Sequence, residues 1–595
     1  MPIRTMKSYK YLGILLLTST QFFAQKKDEN IGVEVVNIVK PYSPTISDAF
    51  KAKEVPVIED DVNTQKQTIE YNIFSFPVVS TFTPSKGVAQ TIDPPQKETY
   101  FQNYVRLGGG NYGTIDGEAA LSYTLNRNDY VALFVNHRSS AGGIKDLKLS
   151  DKYSFTNAKA YYGSKTRDLD WKVGLGYQRN MYNWYGLAKD IDSWVNPEVF
   201  DGLNVKNIYN TIVLDGQVKA TDGIVDGGEF FFKRFTDKKD SQENHFFIKP
   251  TASFDVNGFD IETDVVVDYL GGSFARGYQN FLNPVKQEYS YFNIGVQPKL
   301  KYEVNNEFHV KAGVGLFYSN GKNNGESNNK FHIFPQITAS YTIVDGVLLA
   351  FAGAEGGLQQ NSFASLISKN PFLSPTQFIQ PTANAYDLYA GLNGKLSSNV
   401  SFSVKGGFKQ QNNYTFFVNN LIQSPSVTTN DYQPYEYGNS FSVVYDDLKT
   451  IHLSGNIQYD MTKESHVGVL AEVNSYNTKQ EEAWNLPTFK IGAETSFKVT
   501  DKWFAGARLF FVGQRYGLES VLFTDINTQT ETLQQTKITL DSYFDLNANV
   551  LYKHNERLSG FIKLNNITGQ EYMRYANFPV QGFQVLVGAS YNFDF

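Results

Sequence analysis

The 595-residue chain contains no cysteine, which excludes disulfides, thiolate metal sites and a cysteine-anchored lipoprotein. Beyond its N-terminus it has no apolar run of about 18 residues, so no membrane-spanning helix is expected. Charged residues make up only 19% of the chain, and no block rich in lysine and arginine occurs. With a net charge of −6, the chain is not expected to bind nucleic acid.

The N-terminus has the pattern of a secretory signal peptide, for which we assign residues 1–24. A short apolar stretch follows three basic residues, and it is too short to cross about 30 Å of hydrocarbon as an anchor. We predict cleavage between Ala24 and Gln25. Removal of the three basic residues would change the net charge from −6 to −9.

The C-terminus alternates apolar and mostly polar residues up to its terminal phenylalanine. Side chains of a strand switch faces at every residue, so this segment predicts a strand with one apolar wall. A last strand that ends on an aromatic residue is typical of outer-membrane β-barrels, which it closes and marks for insertion. The apolar wall and proposed insertion signal comprise Phe583, Val585, Val587, Ala589, Tyr591, Phe593 and Phe595.

The same alternation recurs upstream, for example in 114–126, 171–178, 400–409 and 538–552. Tight turns separate some of these strands, and long polar loops separate others in alternation, as in barrels with short periplasmic turns and long extracellular loops. The aromatic content of 15% fits lipid-facing walls and girdles. Residues 101–595 therefore predict an all-β, transmembrane antiparallel β-barrel of about 22 strands, an even number.

The predicted turns and loops can be stated by position. The tight turns are Arg127–Asp129, Arg167–Asp170, Asp226–Gly227, Asn257–Gly258, Asn305–Asn306, Asp345–Gly346, Ser397–Asn399, Thr462–Glu464, Thr500–Lys502 and Asn555–Glu556. The long loops are 184–205, 237–243, 271–285, 320–329, 359–385, 411–438, 477–483 and 515–532. Trp171 and Trp503 each follow a tight turn, where a periplasmic aromatic girdle belongs.

The stretch Leu564–Tyr572, the Phe578–Pro579 step after it and the closing strand resemble the end of the TonB-dependent receptor barrel. The resemblance implies an outer-membrane protein of a Gram-negative bacterium that acts in transport. Receptors of that family carry a plug domain of roughly 150 residues before the barrel. The Val39–Pro44 run and the Ala24–Gln25 cleavage site are similar to plug-poor barrels of Bacteroidota.

Residues 25–100 do not read as a plug. They look extended, because prolines forbid a regular helix and interrupt ladders, and we expect a short periplasmic or lumenal segment. Its β-prone run, Val33 to Val39, could add as a strand to a partner's sheet edge or lie along the periplasmic rim of the barrel. Contact with TonB is a third, less favoured interpretation. The candidate docking residues are Val33, Val35, Val36, Ile38 and Val39.

No constellation in the sequence predicts catalysis, a cofactor or a metal. The seven histidines, at positions 137, 245, 309, 332, 452, 466 and 554, are scattered. The acidic cluster Glu59–Asp61 lacks the alternating spacing of a calcium loop. We expect no enzyme activity.

Two functions remain open at this stage. The first is solute uptake through a plug-less channel that loops or partners gate; its candidate lumen charges, chosen by strand phase, are Glu118, Lys405, Lys409 and Asp541. The alternative is a non-transporting subunit of an envelope assembly for outer-membrane protein insertion or surface lipoprotein export. Because barrels this wide are normally plugged, residues 25–100, an inward-folded loop such as 411–438 or another protein would fill the lumen. Partners would be outer-membrane lipids and envelope proteins.

Overall fold

Twenty-two antiparallel strands form one closed sheet. The structure is a computed structural model, and it describes residues 101–279, 284–303, 305–423, 432–524 and 531–595. The sheet closes where the first strand pairs with the last, from Asn103 opposite Phe593 to Gly110 opposite Leu586. The barrel and its strand number confirm the sequence prediction. Calls on residues 1–100, including Ala24, Gln25 and Val33 to Val39, lie outside the described residues.

The barrel strands follow one another around the ring in chain order. They are β1 (Asn103–Gly110), β2 (Thr114–Thr124), β3 (Asp129–Ser140), β4 (Tyr153–Lys165), β5 (Leu169–Asn183), β6 (Lys206–Ala220), β7 (Val225–Asp237), β8 (Gln242–Val256), β9 (Phe259–Phe274), β10 (Gln287–Glu303), β11 (Phe308–Asn323), β12 (Glu326–Val344), β13 (Leu348–Gln359), β14 (Thr382–Ser397), β15 (Val400–Asn419), β17 (Phe441–Thr462), β18 (Ser465–Asn477), β19 (Phe489–Lys498), β20 (Trp503–Val512), β23 (Tyr543–Lys553), β24 (Leu558–Asn565) and β27 (Gln584–Phe593).

The remaining elements belong to the connections at one end of the barrel. They are three 3-10 turns (Asn111–Gly113, Ile191–Ser193 and Pro197–Phe200), helix α1 (Phe363–Lys369), a small sheet of β16 (Ile422–Gln423), β21 (Arg515–Thr524) and β22 (Glu531–Leu540), and the pair β25 (Met573–Tyr575) and β26 (Phe578–Pro579). Among the residues that the structure describes, no helix is both long and apolar enough to cross a bilayer.

One end of the barrel has short turns and the other carries the long loops, as the sequence predicted, but three predicted connections are wrong. Asp226–Gly227 lies inside β7, because the turn falls earlier, at 221–224. The predicted long loops 237–243 and 320–329 are tight connections, since β11 and β12 continue as a hairpin that turns on Asn324 and Gly325, both at positive φ. Tight and long connections therefore do not alternate strictly; the loop end carries both kinds.

The region around β21 and β22 was also misassigned. The predicted loop 515–532 is largely a hairpin, and the predicted strand 538–552 is broken before β23. Asp541 therefore lies between two strands and is exposed, and it does not line the lumen. At the opposite end of the barrel, tight turns connect the strands. In the turn between β19 and β20, for example, the backbone N–H groups of Val499 and Thr500 donate to the Trp503 carbonyl.

Aromatic rings lie flat against glycines of neighbouring strands along the wall. A Cβ atom on Gly353 or on Gly391 would overlap the ring of Tyr389 or of Phe351, respectively. The glycine and the aromatic residue of each pair are register partners on neighbouring strands. Because glycine has no side chain, it leaves the space that the ring needs to cover the backbone. This pairing accounts for part of the glycine and aromatic content of the chain.

Candidate functional site

Three long loops meet at one end of the barrel although they start far apart on the ring. They join β5 to β6, β13 to β14 and β24 to β27. Six barrel strands separate the first hairpin from the second, six separate the second from the third, and four separate the third from the first around the closed sheet. Loops spaced in this way can contact one another only over the mouth of the barrel. We call the folded part of these loops, together with residues 432–440, the cap.

An aromatic triad, Tyr185, Phe372 and Phe578, joins the three loops. The rings of Phe372 and Phe578 stack with centroids 4.1 Å apart, and Tyr185 lies 5.4 and 5.0 Å from them. The Tyr185 hydroxyl donates to the Pro579 carbonyl at 2.8 Å. Aromatic pairs of this kind contribute about 0.5–1.5 kcal/mol each beyond the area they bury, so the triad is a stable junction.

Hydrophobic burial around the triad forms a continuous core. Phe578, Phe441, Leu373 and Leu366 are all 0% exposed, and they belong to one cluster of buried side chains. The ring of Phe441, at the start of β17, lies 5.3 Å from that of Phe578. The described loops therefore share one packed layer of buried side chains at the mouth.

Helix α1 is fixed inside the mouth by a carboxylate from the barrel wall. Glu243 of β8 accepts hydrogen bonds from the N–H groups of Phe363 and Ala364, at 2.6 and 3.3 Å, and from the Tyr289 hydroxyl at 2.7 Å. Ser362 caps the helix by a reciprocal capping box with Ser365. Because Glu243 is 2% exposed, these three donors satisfy a charge that burial would otherwise make costly.

A second buried carboxylate ties two more loops together. Glu436 is fully buried and pairs with Arg276, which comes from the loop between β9 and β10. Glu436 also accepts from the backbone N–H groups of Gln279 and Gln433, at 2.6 and 2.7 Å. Asn439 donates to the Trp184 carbonyl at 2.7 Å, so the segment 432–440 also binds the loop between β5 and β6.

The face of the strands that meets the cap is the lumen face, and below the cap it is polar. Tyr209 of β6 contacts the cap, and Asp215, on the same face of that strand, pairs with Lys159 at 2.8 Å. Asp264 likewise pairs with Lys299 at 2.9 Å and Lys249 at 3.5 Å. The opposite face carries exposed apolar side chains such as Leu107, Ile115, Leu175 and Val587.

Three of the four charges predicted from strand phase lie on this lumen face. Lys405 stands 3.8 Å from Asp387 and 3.8 Å from the centre of the Tyr389 ring, and His452 lies 3.1 Å from the same aspartate. Lys409 is the register partner of Asp387. Glu118 of β2 pairs with Arg106. The fourth, Asp541, is the exception corrected above.

The other predicted positions are spread over the barrel. Trp171 and Trp503 follow the tight-turn end and contact Tyr162 and Tyr552 at 5.5 and 4.8 Å; their girdle role stays a prediction. The apolar wall of β27 faces outward, with Val587, Tyr591 and Phe595 exposed, and its insertion role is also untested. Within the described part of the chain, no group of three His, Asp or Glu side chains is placed to hold a metal ion.

The motif after β24 explains how the last loop begins. Asn566 has a positive φ of 46°, and its side-chain amide donates to the carbonyls of Gln570 at 2.7 Å and Gln581 at 3.0 Å. These bonds join the two ends of the loop that carries Phe578. The sequence analysis noted the Phe578–Pro579 step and named 411–438 as a loop that could fold inward, and residues 432–438 do lie in the cap. It did not predict that the other three loops join the cap; aromatics concentrated in loops, such as Trp184 and Phe200, were the available signal.

Solved structures share this fold at low sequence identity. The FpvAI–pyocin S2 complex matches with a TM-score of 0.58 at 11% identity, over 84% of this chain and 74% of that chain. The likeness is one of fold, a closed antiparallel β-barrel. The copper transporter OprC matches with a TM-score of 0.58 at 12% identity (83% and 81% covered). The closed form of the ferric-catecholate import receptor Fiu from K12 E. coli matches at 0.56 and 10% (83% and 82%).

Comparisons of the sequence with family models and with curated proteins found no match. The resemblance to TonB-dependent receptors, predicted from the C-terminal motif, is therefore a likeness of fold. Together with the 22-stranded barrel, it points to an outer membrane.

Proposed function

We propose that this chain is a transport barrel of a Gram-negative outer membrane whose outer mouth is closed by its own loops. The observation that carries the proposal is the contrast between the cap and the wall beneath it. Beneath the packed cap the lumen wall is hydrophilic: Asp215 and Asp387 sit in partly exposed ion-paired groups, and the buried Asp264 pairs with Lys299. Polar interiors line the water-filled channels of porins and also occur in plugged barrels, so this wall supports a passage that the cap closes.

The cap supplies the gate in this proposal. Its core is packed and its loops come from well-separated positions on the ring, so in this proposal solutes pass only when at least one loop leaves the triad. A ligand or partner opens the gate to the extent that it binds the open state more tightly than the closed one. The solved neighbours are receptors and a copper transporter by name, which supports a transport role.

The N-terminal part of the proposal rests on sequence. After cleavage between Ala24 and Gln25, residues 25–100 would form an extended periplasmic or lumenal segment in place of a plug, as in plug-poor Bacteroidota barrels. Val33 to Val39 would dock as a strand on an envelope partner. Deletion of residues 31–44 should abolish co-purification of that partner; unchanged co-purification would remove the docking role.

The second candidate is an accessory subunit of an envelope assembly. The buried Arg276–Glu436 pair and the fully buried Phe441 favour it, because they give the cap the character of a folded domain. Affinity purification in mild detergent, followed by mass spectrometry, separates the two. A stoichiometric partner set favours the assembly role, and an isolated barrel whose conductance responds to solutes favours transport.

The gate is tested by planar-bilayer recordings of the full-length protein. Replacing residues 361–380 with a short glycine–serine linker removes α1 and Phe372, and should turn a closed barrel into one with a steady nanosiemens-scale conductance. The control is the double variant Phe331→Ala and Ile333→Ala, two residues exposed on the outer face of β12. A wild-type barrel that already conducts, or a linker variant that stays closed, contradicts the proposed gate.

A further inference from the structure

A cavity of about 430 Å³ lies on the lumen wall at the tight-turn end of the barrel, opposite the cap. Strands β12, β13, β14, β15 and β17 line it, together with the tight turn between β12 and β13. Small-molecule sites usually have volumes of about 300–1,000 Å³ and a few polar groups that fix the ligand. We call this cavity the rim cavity, and its lining indicates what it can bind.

The shape of the rim cavity follows from the register of its strands. Successive register partners form one row across the wall, made of Thr342, Leu349, Asn393, Ser403 and Asn456. The row lies on the lumen face, because Ser403 is two residues from Lys405 on β15 and side chains two residues apart share a face. The next row toward the cap carries the bulkier Phe351 and Lys405. The shorter side chains of the first row therefore leave the wall concave.

The uncharged polar side chains of the rim cavity keep their hydrogen-bonding capacity. Across the described part of the chain, no other group forms a hydrogen bond with the side chains of Thr342, Asn393, Ser401, Ser403 or Asn456. Hydroxyls and side-chain amides both donate and accept hydrogen bonds. The row therefore suits a solute that carries neutral polar groups such as peptide amides.

Two charges of opposite sign also line the rim cavity. They are Lys395 of β14 and Asp345 of the turn between β12 and β13, and both residues are exposed. Neither forms an ion pair with any residue that the structure describes, and they do not pair with each other. On the wall above, by contrast, Lys405 faces Asp387 at 3.8 Å. The rim cavity thus presents a cation and an anion that are not neutralised by the protein.

A backbone contact fixes the two charged positions relative to each other. The N–H group of Lys395 donates to the Val347 carbonyl at 2.8 Å, so the strand end that carries the cation is tied to the turn that carries Asp345. A cation and an anion held apart in one cavity can each form a charge-assisted hydrogen bond with the opposite charge of a single solute.

We propose that the rim cavity binds a small zwitterionic solute, an amino acid or a short peptide. Lys395 binds the carboxylate of the solute, and Asp345 binds its ammonium group. The hydroxyls and amides of the row bind the neutral polar groups between the two charges. The rim cavity lies at the inner end of the passage proposed above, and its role in transport rests on that function.

Equilibrium dialysis of the full-length protein in detergent tests the site, with radiolabelled glycine and triglycine as separate probes. Wild type should bind at least one of them saturably. The amide of the bound probe lacks the carboxylate, and its N-acetyl derivative lacks the ammonium group. Each derivative should compete about tenfold more weakly than the probe itself, which is the loss expected for one charge-assisted hydrogen bond.

Two substitutions assign the two charges to their partners. Lys395→Gln should weaken binding of the probe and remove the preference for the free carboxylate over the amide. Asp345→Asn should remove the preference for the free amine over the N-acetyl derivative. The matched controls are Lys219→Gln and Asp222→Asn, an exposed lysine near the end of β6 and an exposed aspartate of the tight turn that follows it. Both controls should keep both preferences.

Binding of glycine assigns an amino acid, and binding of triglycine alone assigns a peptide. Absence of saturable binding of both probes, equal affinity of the probe and its amide in wild type, or loss of the preferences in the control variants overturns the site. The thermal midpoint of the barrel checks that each variant is folded, and if one fails this check the competition by the two derivatives in wild type decides. A barrel that binds the probe but never conducts keeps the site and contradicts transport, whereas one that conducts without binding contradicts the site.

Discussion

The cap and the lumen wall are carried by the same strands, but different forces hold them. In the cap, Phe578 and Phe441 are completely buried, and removal of apolar surface from water dominates. On the wall, the side chains of Lys405 and Asp387 remain 33% and 24% exposed, and the backbone ladder carries the stability. Because different interactions hold the cap and the wall, we expect that the cap can be loosened without unfolding the barrel.

The largest effect is expected from Phe578→Ala. Truncating a fully buried phenylalanine leaves a cavity and costs about 3–5 kcal/mol, and we expect this loss to loosen the cap and to leave the barrel folded. Amide exchange within residues 566–583 should accelerate, and trypsin should cut the cap loops. Phe331→Ala, at a position 63% exposed on the outer face, is the control. If Phe578→Ala unfolded the whole barrel, the separation of cap and wall would be wrong.

Glu243→Ala should have the next largest effect, confined to α1. The substitution leaves the N–H groups of Phe363 and Ala364 and the Tyr289 hydroxyl without their acceptor, and a buried unsatisfied group costs about 1–3 kcal/mol. Amide exchange of residues 363–369 should rise by about tenfold to a hundredfold, since about 1.4 kcal/mol corresponds to tenfold.

The matched control for that experiment is Glu229→Ala, which removes an exposed carboxylate from neighbouring strand β7. Glu243→Gln keeps one acceptor oxygen and should give an intermediate exchange rate. Equal exchange in all three variants would mean that α1 is held by its apolar side chains alone.

Gly186→Ala sharpens the comparison from the opposite direction, by adding an atom to the cap. A Cβ atom on Gly186 would overlap the ring of Phe578, and overpacking of this kind costs about 1–3 kcal/mol. The cap should loosen under limited proteolysis, and adding Phe578→Leu should partly restore protection. Gly357→Ala, where a Cβ would meet no atom within 4 Å, should leave protection unchanged. If Gly186→Ala left the protection of the cap unchanged, the loop between β5 and β6 would be able to shift and accommodate the added atom without loss of stability.

The barrel was predictable from sequence because strand phase is a local property. Alternation placed Glu118 and Lys405 on the lumen face, and turn residues such as Asn257–Gly258 marked the strand ends. The hairpin of β11 and β12 was misread because its polar tip, Asn320–Asn329, resembles a loop although its backbone is paired. The triad was not predictable, because Tyr185, Phe372 and Phe578 are far apart in sequence and meet only once the ring has closed.

The smallest effect is expected from Lys405→Gln on the wall. Its carboxylate partner is 3.8 Å away and both side chains are partly exposed, and such pairs contribute about 0–1 kcal/mol. The thermal midpoint of the barrel should change little, and any difference from wild type should shrink as salt rises, because ions screen exposed charges. His452, 3.1 Å from Asp387, keeps that carboxylate paired in the variant. A salt-independent loss as large as that of Phe578→Ala would mean that the wall is packed against something that excludes water, and the lumen would then not be the open passage on which the transport proposal depends.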